Sequence, residues 1–187
     1  LGLALLIWGG WWLILAGMII VVFAIAYSAG PYPLSYKGLG DVAVFIFFGL
    51  VAVNLTYYVQ ALHFCIEVFW GSVAIGLLSV NILMVNNYRD VEADRLSGKK
   101  TVVVRFGHTF ARYAYLFNGV VALLCTVNIW FSYNFWSIGA AILFFCVHII
   151  TWRQMCILKG TALNPVLGKT ARNLLIFTIF LSVFLIL

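Results

Sequence analysis

Between Asn86 and Gly107 the chain reads NNYRDVEADRLSGKKTVVVRFG, a stretch that holds three of its five acidic residues and five of its eleven basic ones. Asp90 and Asp94 are four apart, and Asn86 lies four before Asp90. A helix continuing through Asn86–Asp94 would carry all three on one face and turn Glu92 elsewhere. Two carboxylates on one face repel each other unless a cation lies between them. A hard divalent cation such as Mg²⁺ takes oxygen ligands and is commonly held by one or two carboxylates plus substrate phosphate oxygens. The basic residues that follow, Arg95, Lys99, Lys100 and Arg105, can donate to the same diphosphate, with Arg suited to bidentate contact. The chemistry this pattern suits is metal-assisted departure of diphosphate, driven by electrostatic stabilisation of the leaving group.

Taken alone, Asp-x-x-x-Asp is a weak pattern, because aspartates at helix ends more commonly cap the helix or pair with Arg. Its setting strengthens it. The chain is 65% hydrophobic and only 9% charged, with a mean hydropathy of +1.12. A soluble domain carries roughly a quarter charged residues, so this is a polytopic membrane protein. Ionisable groups beside a bilayer core are expensive and mark candidate sites.

The elements that must position these residues are unbroken apolar runs near the bilayer-spanning length of about 20 residues. They are too long and too uniform for barrel strands, which alternate in short segments. The expected fold is therefore an all-α membrane helical bundle. Spans are predicted near Trp11–Tyr27, Asp41–Gln60, Val68–Asn87, Thr109–Phe131, Phe135–Trp152 and Ala171–Leu187. Leu1–Trp8 is too short to span and reads as the tail of an earlier helix, with Gly9 and Gly10 turning into the next. The first residue is Leu, and no basic n-region or processing site precedes the first span. Residues 1–187 are therefore expected to be the C-terminal portion of one membrane domain.

With six alternating spans, all eleven Lys and Arg fall on one side. Lys37 follows the first span; Arg89, Arg95, Lys99, Lys100, Arg105 and Arg112 follow the third; Arg153, Lys159, Lys169 and Arg172 follow the fifth. The positive-inside rule assigns that side to the cytoplasm. The formal charge of +6 is thus a topology signal, and no nucleic-acid partner is expected. Cys65, Cys125, Cys146 and Cys156 lack the paired short spacing of metal or redox sites. His63, His108 and His148 have no carboxylate at suggestive spacing; His108 reads as a helix cap and His148 as an interhelical partner. Asn54, Asn81, Asn118 and Asn128, inside spans, are also read as interhelical hydrogen-bond partners. Glu67 falls near the opposite side of the membrane. Phe45, Phe47, Phe48, Tyr57 and Tyr58 could line a groove for an apolar tail, but packing and lipid contact are the commoner roles.

The string from Asn86 to Gly107 closely resembles the second aspartate-rich motif of the UbiA superfamily of intramembrane prenyltransferases. The paired Asn, the Arg before the first Asp, the Gly-Lys-x-Thr and the closing Val-Arg-x-Gly resemble the branch that prenylates 1,4-dihydroxy-2-naphthoate in menaquinone synthesis. GPYPLSYKGLGD (Gly30–Asp41) is similar to that branch's central cytoplasmic loop, and ALNPVLGKTAR (Ala162–Arg172) to its last one.

The resemblance implies a bundle of nine membrane helices, of which about six would lie here, with two aspartate-rich motifs facing each other across a cavity. It implies Mg²⁺ as cofactor, with Asp90 and Asp94 as catalytic metal ligands. Asn86, Asn87, Arg95, Lys99, Lys100 and Arg105 would bind diphosphate. Family members carry a Tyr and, four residues later, a Lys on the central loop. Tyr32 fits the first role, while the position four later is Tyr36 and the lysine follows as Lys37. The implied partners are polyprenyl diphosphate, 1,4-dihydroxy-2-naphthoate and membrane lipid, in a multi-pass inner-membrane protein with its active site on the cytoplasmic side. The implied reaction yields demethylmenaquinone with loss of CO₂ and diphosphate.

No Asn or Asp precedes Asp41, so the first aspartate-rich motif is absent from these residues, and they are expected to be inactive on their own. Competing readings are a superfamily member acting on 4-hydroxybenzoate, homogentisate, haem or chlorophyllide, a phosphatidyl transferase, and a transporter. The phosphatidyl transferase motif needs a prelude that is missing before Asp90, and a transporter would place charges in mid-membrane rather than at helix ends.

Overall fold

The structure, a computed structural model, describes residues 6–28, 33–132 and 134–186, and among these the chain is all helix and connection. A helical turn at Leu6–Gly9 passes through Gly10, at φ +87°, into α1 (Trp12–Ser28). The predicted Gly-Gly turn is therefore present. Next come α2 (Gly40–Ala61), α3 (Ile66–Arg89), the short α4 (Val91–Leu96), α5 (Val102–Cys125), α6 (Val127–Ser132), α7 (Asn134–Ile157) and α8 (Asn164–Ile186).

Among the described residues four helical stretches are long and apolar enough to cross a membrane: Gly40–Ala61, Ile66–Arg89, Phe135–Ile157 and Gly160–Leu185. Trp12–Tyr27 is apolar but shorter. The expected span Thr109–Phe131 is not one helix: Thr126 separates α5 from α6, while the kink of α5 at Gly107 (φ +81°, ψ 174°) falls just before its start. Thr126 Oγ1 bonds back to the Ala122 carbonyl (2.8 Å) and accepts the Trp130 indole N–H (2.7 Å), which satisfies the backbone where the helix breaks.

Two clusters of buried side chains hold the bundle. Val85, Tyr88, Val91, Val103, Tyr115, Met155 and Val166 pack beneath the basic loops, while Leu78, Trp130, Phe144, Phe177 and Leu181 fill the other. Outward positions such as Val22, Ile25, Phe48 and Leu175 are exposed apolar side chains, as lipid contact requires.

Between lipid-embedded helices apolar burial gives little driving force, so small residues and polar pairs make the contacts. α2 contains a π-helical segment, Phe45–Val51, and there Gly49 rests on α3. A Cβ added at Gly49 would stand 2.5 Å from Gly76 Cα and 2.8 Å from the Ser72 carbonyl oxygen. Asn54 Nδ2 donates to Ser72 Oγ (2.7 Å) across the same seam.

A buried polar chain joins α3, α5, α7 and α8. Asn118 Nδ2 donates to Asn81 Oδ1 (2.8 Å), Asn81 Nδ2 to the Tyr115 carbonyl (3.0 Å), and His148 Nε2 meets that carbonyl at 3.1 Å. Tyr115 and Thr170 share a hydroxyl contact of 3.1 Å. The imidazole of His148 stacks on Tyr115 with ring centroids 4.8 Å apart. His148, Asn54, Asn81 and Asn118 thus act as the interhelical partners predicted for them. Asn81→Leu is expected to destabilise the bundle by about 1–2 kcal/mol, read as a lower midpoint of unfolding in mixed micelles. A midpoint equal to the wild type would show that the chain contributes nothing.

Apart from the outward-facing Phe48, the aromatic side chains of α2 pack against neighbours. Tyr58 stacks on Phe64 and receives the Trp12 indole N–H (3.3 Å), Tyr57 OH meets His63 Nε2 at 3.0 Å, and Phe47 packs on Phe23.

Candidate active site

Three connections meet at one end of the bundle. In the first, Lys37 and Gly38 turn into α2, and Gly38 takes φ +76°. A Cβ at Gly38 would collide with the Lys100 carbonyl, so only glycine allows this approach. The second connection closes on it: Lys100 N–H donates to the Tyr36 carbonyl (2.8 Å), and Arg105 Nη2 donates to the Lys37 carbonyl (2.6 Å). The third is joined by Arg89, whose Nη1 donates to Asn164 Oδ1 (2.8 Å), 75 residues away in sequence. The loops that the charge count assigns to one side are therefore in direct contact.

The helix expected to run through Asn86–Asp94 ends at Arg89. Asp90 is its C-cap, at φ −99° and ψ 13°, before α4 begins at Val91. The i to i+4 bonds survive, with Asp90 N–H to the Asn86 carbonyl (3.0 Å) and Asp94 N–H to the Asp90 carbonyl (2.8 Å). The break comes at a residue of low helix propensity whose carboxylate is claimed by its neighbour. Arg89 grips both Asp90 oxygens at 2.7 and 2.6 Å and also donates to Asn86 Oδ1 (2.9 Å).

That guanidinium holds the Asp90 carboxyl below its ordinary value of 3.8. A depressed folded-state pKa gives stabilisation that is present above the unfolded value and lost as pH falls through the folded one. The Arg89–Asp90–Asn164 clasp is expected to hold unchanged from pH 7 to 5 and to loosen only below about 4. Amide exchange at Gly160–Asn164 would report this, and Arg89→Ala should raise exchange there even at pH 7. Equal exchange in the variant and the wild type would refute the clasp.

Asp94 is buried, at 6% exposure. Its Oδ1 pairs with Lys99 Nζ at 3.2 Å, while its carbonyl accepts from Lys99 N–H (2.9 Å) and Ser97 Oγ (3.0 Å). Lys99 also lies 5.5 Å from the centre of the Tyr36 ring. Thr101 caps α5 by accepting from Val104 N–H (3.3 Å). The cap thus sits at Thr101 rather than at His108, whose ring instead packs edge-on to Tyr88 at 4.4 Å.

Asn86, Asn87 and Lys99 line a cavity of about 270 Å³ together with Tyr27, Asp41 and Thr101. Asp90 instead faces a separate hollow with Arg89, Gly160, Thr161 and Asn164. Arg95 is exposed and paired with Glu92 at 3.2 Å, and Tyr32 lies outside the described residues. The contributions of Arg89 as a clasp, of Asn164 and of Asp41 are not apparent from residue spacing. The signals were present, however: Asp41 is the first acidic residue of the chain and Asn164 stands in the last basic loop.

Among the described residues no group of three or more His, Cys, Asp or Glu side chains could by itself hold a metal ion. Asp90 and Asp94 offer oxygen donors only, which suits a hard cation that completes its shell with phosphate oxygens and water. In this structure both carboxylates are engaged by cations, Asp90 by Arg89 and Asp94 by Lys99, which a shared divalent cation would have to displace.

An all-α bundle of apolar helices with clustered carboxylates and cations at one end defines a membrane-embedded protein with one charged face. The profile of the UbiA prenyltransferase family matches residues 1–164, and the chain belongs to that family. It is 35% identical over 169 residues to the 1,4-dihydroxy-2-naphthoate octaprenyltransferase of Escherichia coli, covering 88% of this chain and 54% of the relative. The Haemophilus influenzae protein of the same name is 33% identical over 89% of this chain and 54% of its own length. The Mycobacterium tuberculosis one is 41% identical over 65% of this chain and 41% of its own length. The chain spans about half the length of the curated relatives it matches. No solved structure matches it.

Proposed function

We propose that this protein transfers a polyprenyl group from polyprenyl diphosphate to 1,4-dihydroxy-2-naphthoate, releasing CO₂ and diphosphate and giving demethylmenaquinone. The observation that carries this reading is the meeting of the three basic loops around Asp90 and Asp94 through the Lys100–Tyr36, Arg105–Lys37 and Arg89–Asn164 bonds. The names of the relatives support the acceptor. The fall of all eleven Lys and Arg to one face supports a cytoplasmic active site.

In this reading Asp90 and Asp94 hold Mg²⁺, which when bound neutralises charge on the departing diphosphate. Lys99, Lys100, Arg105 and Lys37 gather about the same anion, with Tyr32 from the central loop and Arg95 at the outer edge. Asn86 and Asn87 supply amide groups from the end of α3. The apolar helix faces leave the isoprenoid tail in lipid, while the charged loops hold its diphosphate at the membrane edge. Stripping divalent cations with a chelator is therefore expected to abolish turnover, and Mg²⁺ to restore it.

The test is prenylation by membranes from cells expressing the gene that encodes this chain, with 1,4-dihydroxy-2-naphthoate and 4-hydroxybenzoate offered in parallel. Prenylation of the naphthoate alone is the expected result. Turnover of 4-hydroxybenzoate alone would sink the acceptor assignment.

A further inference from the structure

Asp41 opens α2, inside the cavity that also receives Asn86, Asn87 and Lys99. Its Oδ1 is buried and has no hydrogen-bond partner, and among the described residues it is the one buried side-chain oxygen or nitrogen in that condition. Lys99, the cation lining the cavity, is paired with Asp94 at 3.2 Å. Buried polar groups are almost always satisfied, so an orphan acceptor facing a cavity marks the place where a ligand supplies the donor.

The nature of that donor follows from charge and size. A carboxylate oxygen accepts hydrogen bonds and repels anions, so the Asp41 end of the cavity rejects diphosphate oxygens, which are themselves acceptors. At about 270 Å³ the cavity lies at the small end of ligand pockets. It has room for a bicyclic aromatic ring but not for a polyprenyl chain. Gly40 keeps this space open: a Cβ there would sit 3.5 Å from the Tyr27 hydroxyl and 3.4 Å from Leu83.

Resting on the proposed function, we infer that Asp41 accepts a hydrogen bond from the 4-hydroxyl of the naphthoate acceptor and so fixes the ring beside the diphosphate. Of the two hydroxyls, the one at position 1 is next to the ring carboxylate and bonds to it internally. The 4-hydroxyl has no internal partner and is free to donate to Asp41 Oδ1.

Equilibrium binding separates this role from turnover. The full protein in lipid nanodiscs, without Mg²⁺ or polyprenyl diphosphate, is titrated with 4-hydroxy-2-naphthoate and with 2-naphthoate by their fluorescence. The wild type is expected to bind the hydroxylated probe at least about tenfold more tightly. Asp41→Leu should bring the two affinities within about twofold by weakening only the hydroxylated probe, and Asp41→Asn should fall between. Loss of both probes alike, or an unchanged preference in Asp41→Leu, would overturn the inference. So would an unchanged preference accompanied by loss of Mg²⁺ affinity. Membranes that prenylate no acceptor while this preference holds would overturn the proposed function and leave the hydroxyl site standing.

Discussion

Asp94→Asn is expected to lower prenyl transfer by about 1,000-fold, equivalent to about 4 kcal/mol of transition-state stabilisation. The substitution is nearly isosteric, and Asp94 is 6% exposed, so its volume matters as much as its charge. The backbone bonds that shape this turn, from Lys99 N–H and Ser97 Oγ to the Asp94 carbonyl, do not involve the carboxylate and survive. What is lost is one negative charge beside Lys99 Nζ, and with it the ligand proposed for the divalent cation. Asp90→Asn should also abolish activity but is a less clean test, because it dismantles the bidentate grip of Arg89 as well. A monodisperse Asp94→Asn protein retaining activity within about threefold of the wild type would remove Asp94 from the reaction. A raised Mg²⁺ requirement with partial activity would support its role as ligand.

The second large effect concerns stability. Gly49 and Gly76 bring α2 and α3 to backbone contact, and a Cβ on Gly49 would meet Gly76 Cα at 2.5 Å and the Ser72 carbonyl at 2.8 Å. Both obstacles are backbone, so no rotamer change relieves them and the helices must part. Gly49→Ala is expected to cost about 1–3 kcal/mol, and Gly49→Leu to prevent the pair from packing at all. Gly139 is the internal control: a Cβ there meets nothing within 4 Å, so Gly139→Ala should be neutral or slightly stabilising. Unfolding of the three variants in mixed micelles would decide the matter. Equal midpoints for Gly49→Ala and Gly139→Ala would show that the close approach carries no weight.

Much of this architecture is legible in the amino-acid order, for physical reasons that can be named. Long apolar runs must be helices in lipid because no other open element satisfies its backbone there, and the helical fold follows from that. The side assigned to Lys and Arg brings together Lys37, Arg105 and Arg89 with Asn164, which the structure joins by hydrogen bonds. Periodicity does not reveal where a helix breaks. The interruption at Asp90 depends on the Arg89 side chain folding back, and the break at Thr126 divides an apolar stretch that reads as a single span. The π-helical segment Phe45–Val51 is likewise silent in composition, since it depends on the fit of Gly49 to Gly76. Asp41 gains its interest only from burial, which a spacing argument cannot supply.

The most direct measurement is the quinone profile of membranes from cells that lack their own 1,4-dihydroxy-2-naphthoate prenyltransferase and express the gene for this chain. Mass spectrometry is predicted to find demethylmenaquinone with the wild type and none with Asp94→Asn at equal protein level. Prenylated 4-hydroxybenzoate in place of demethylmenaquinone, or the same demethylmenaquinone yield from both proteins, would contradict the account.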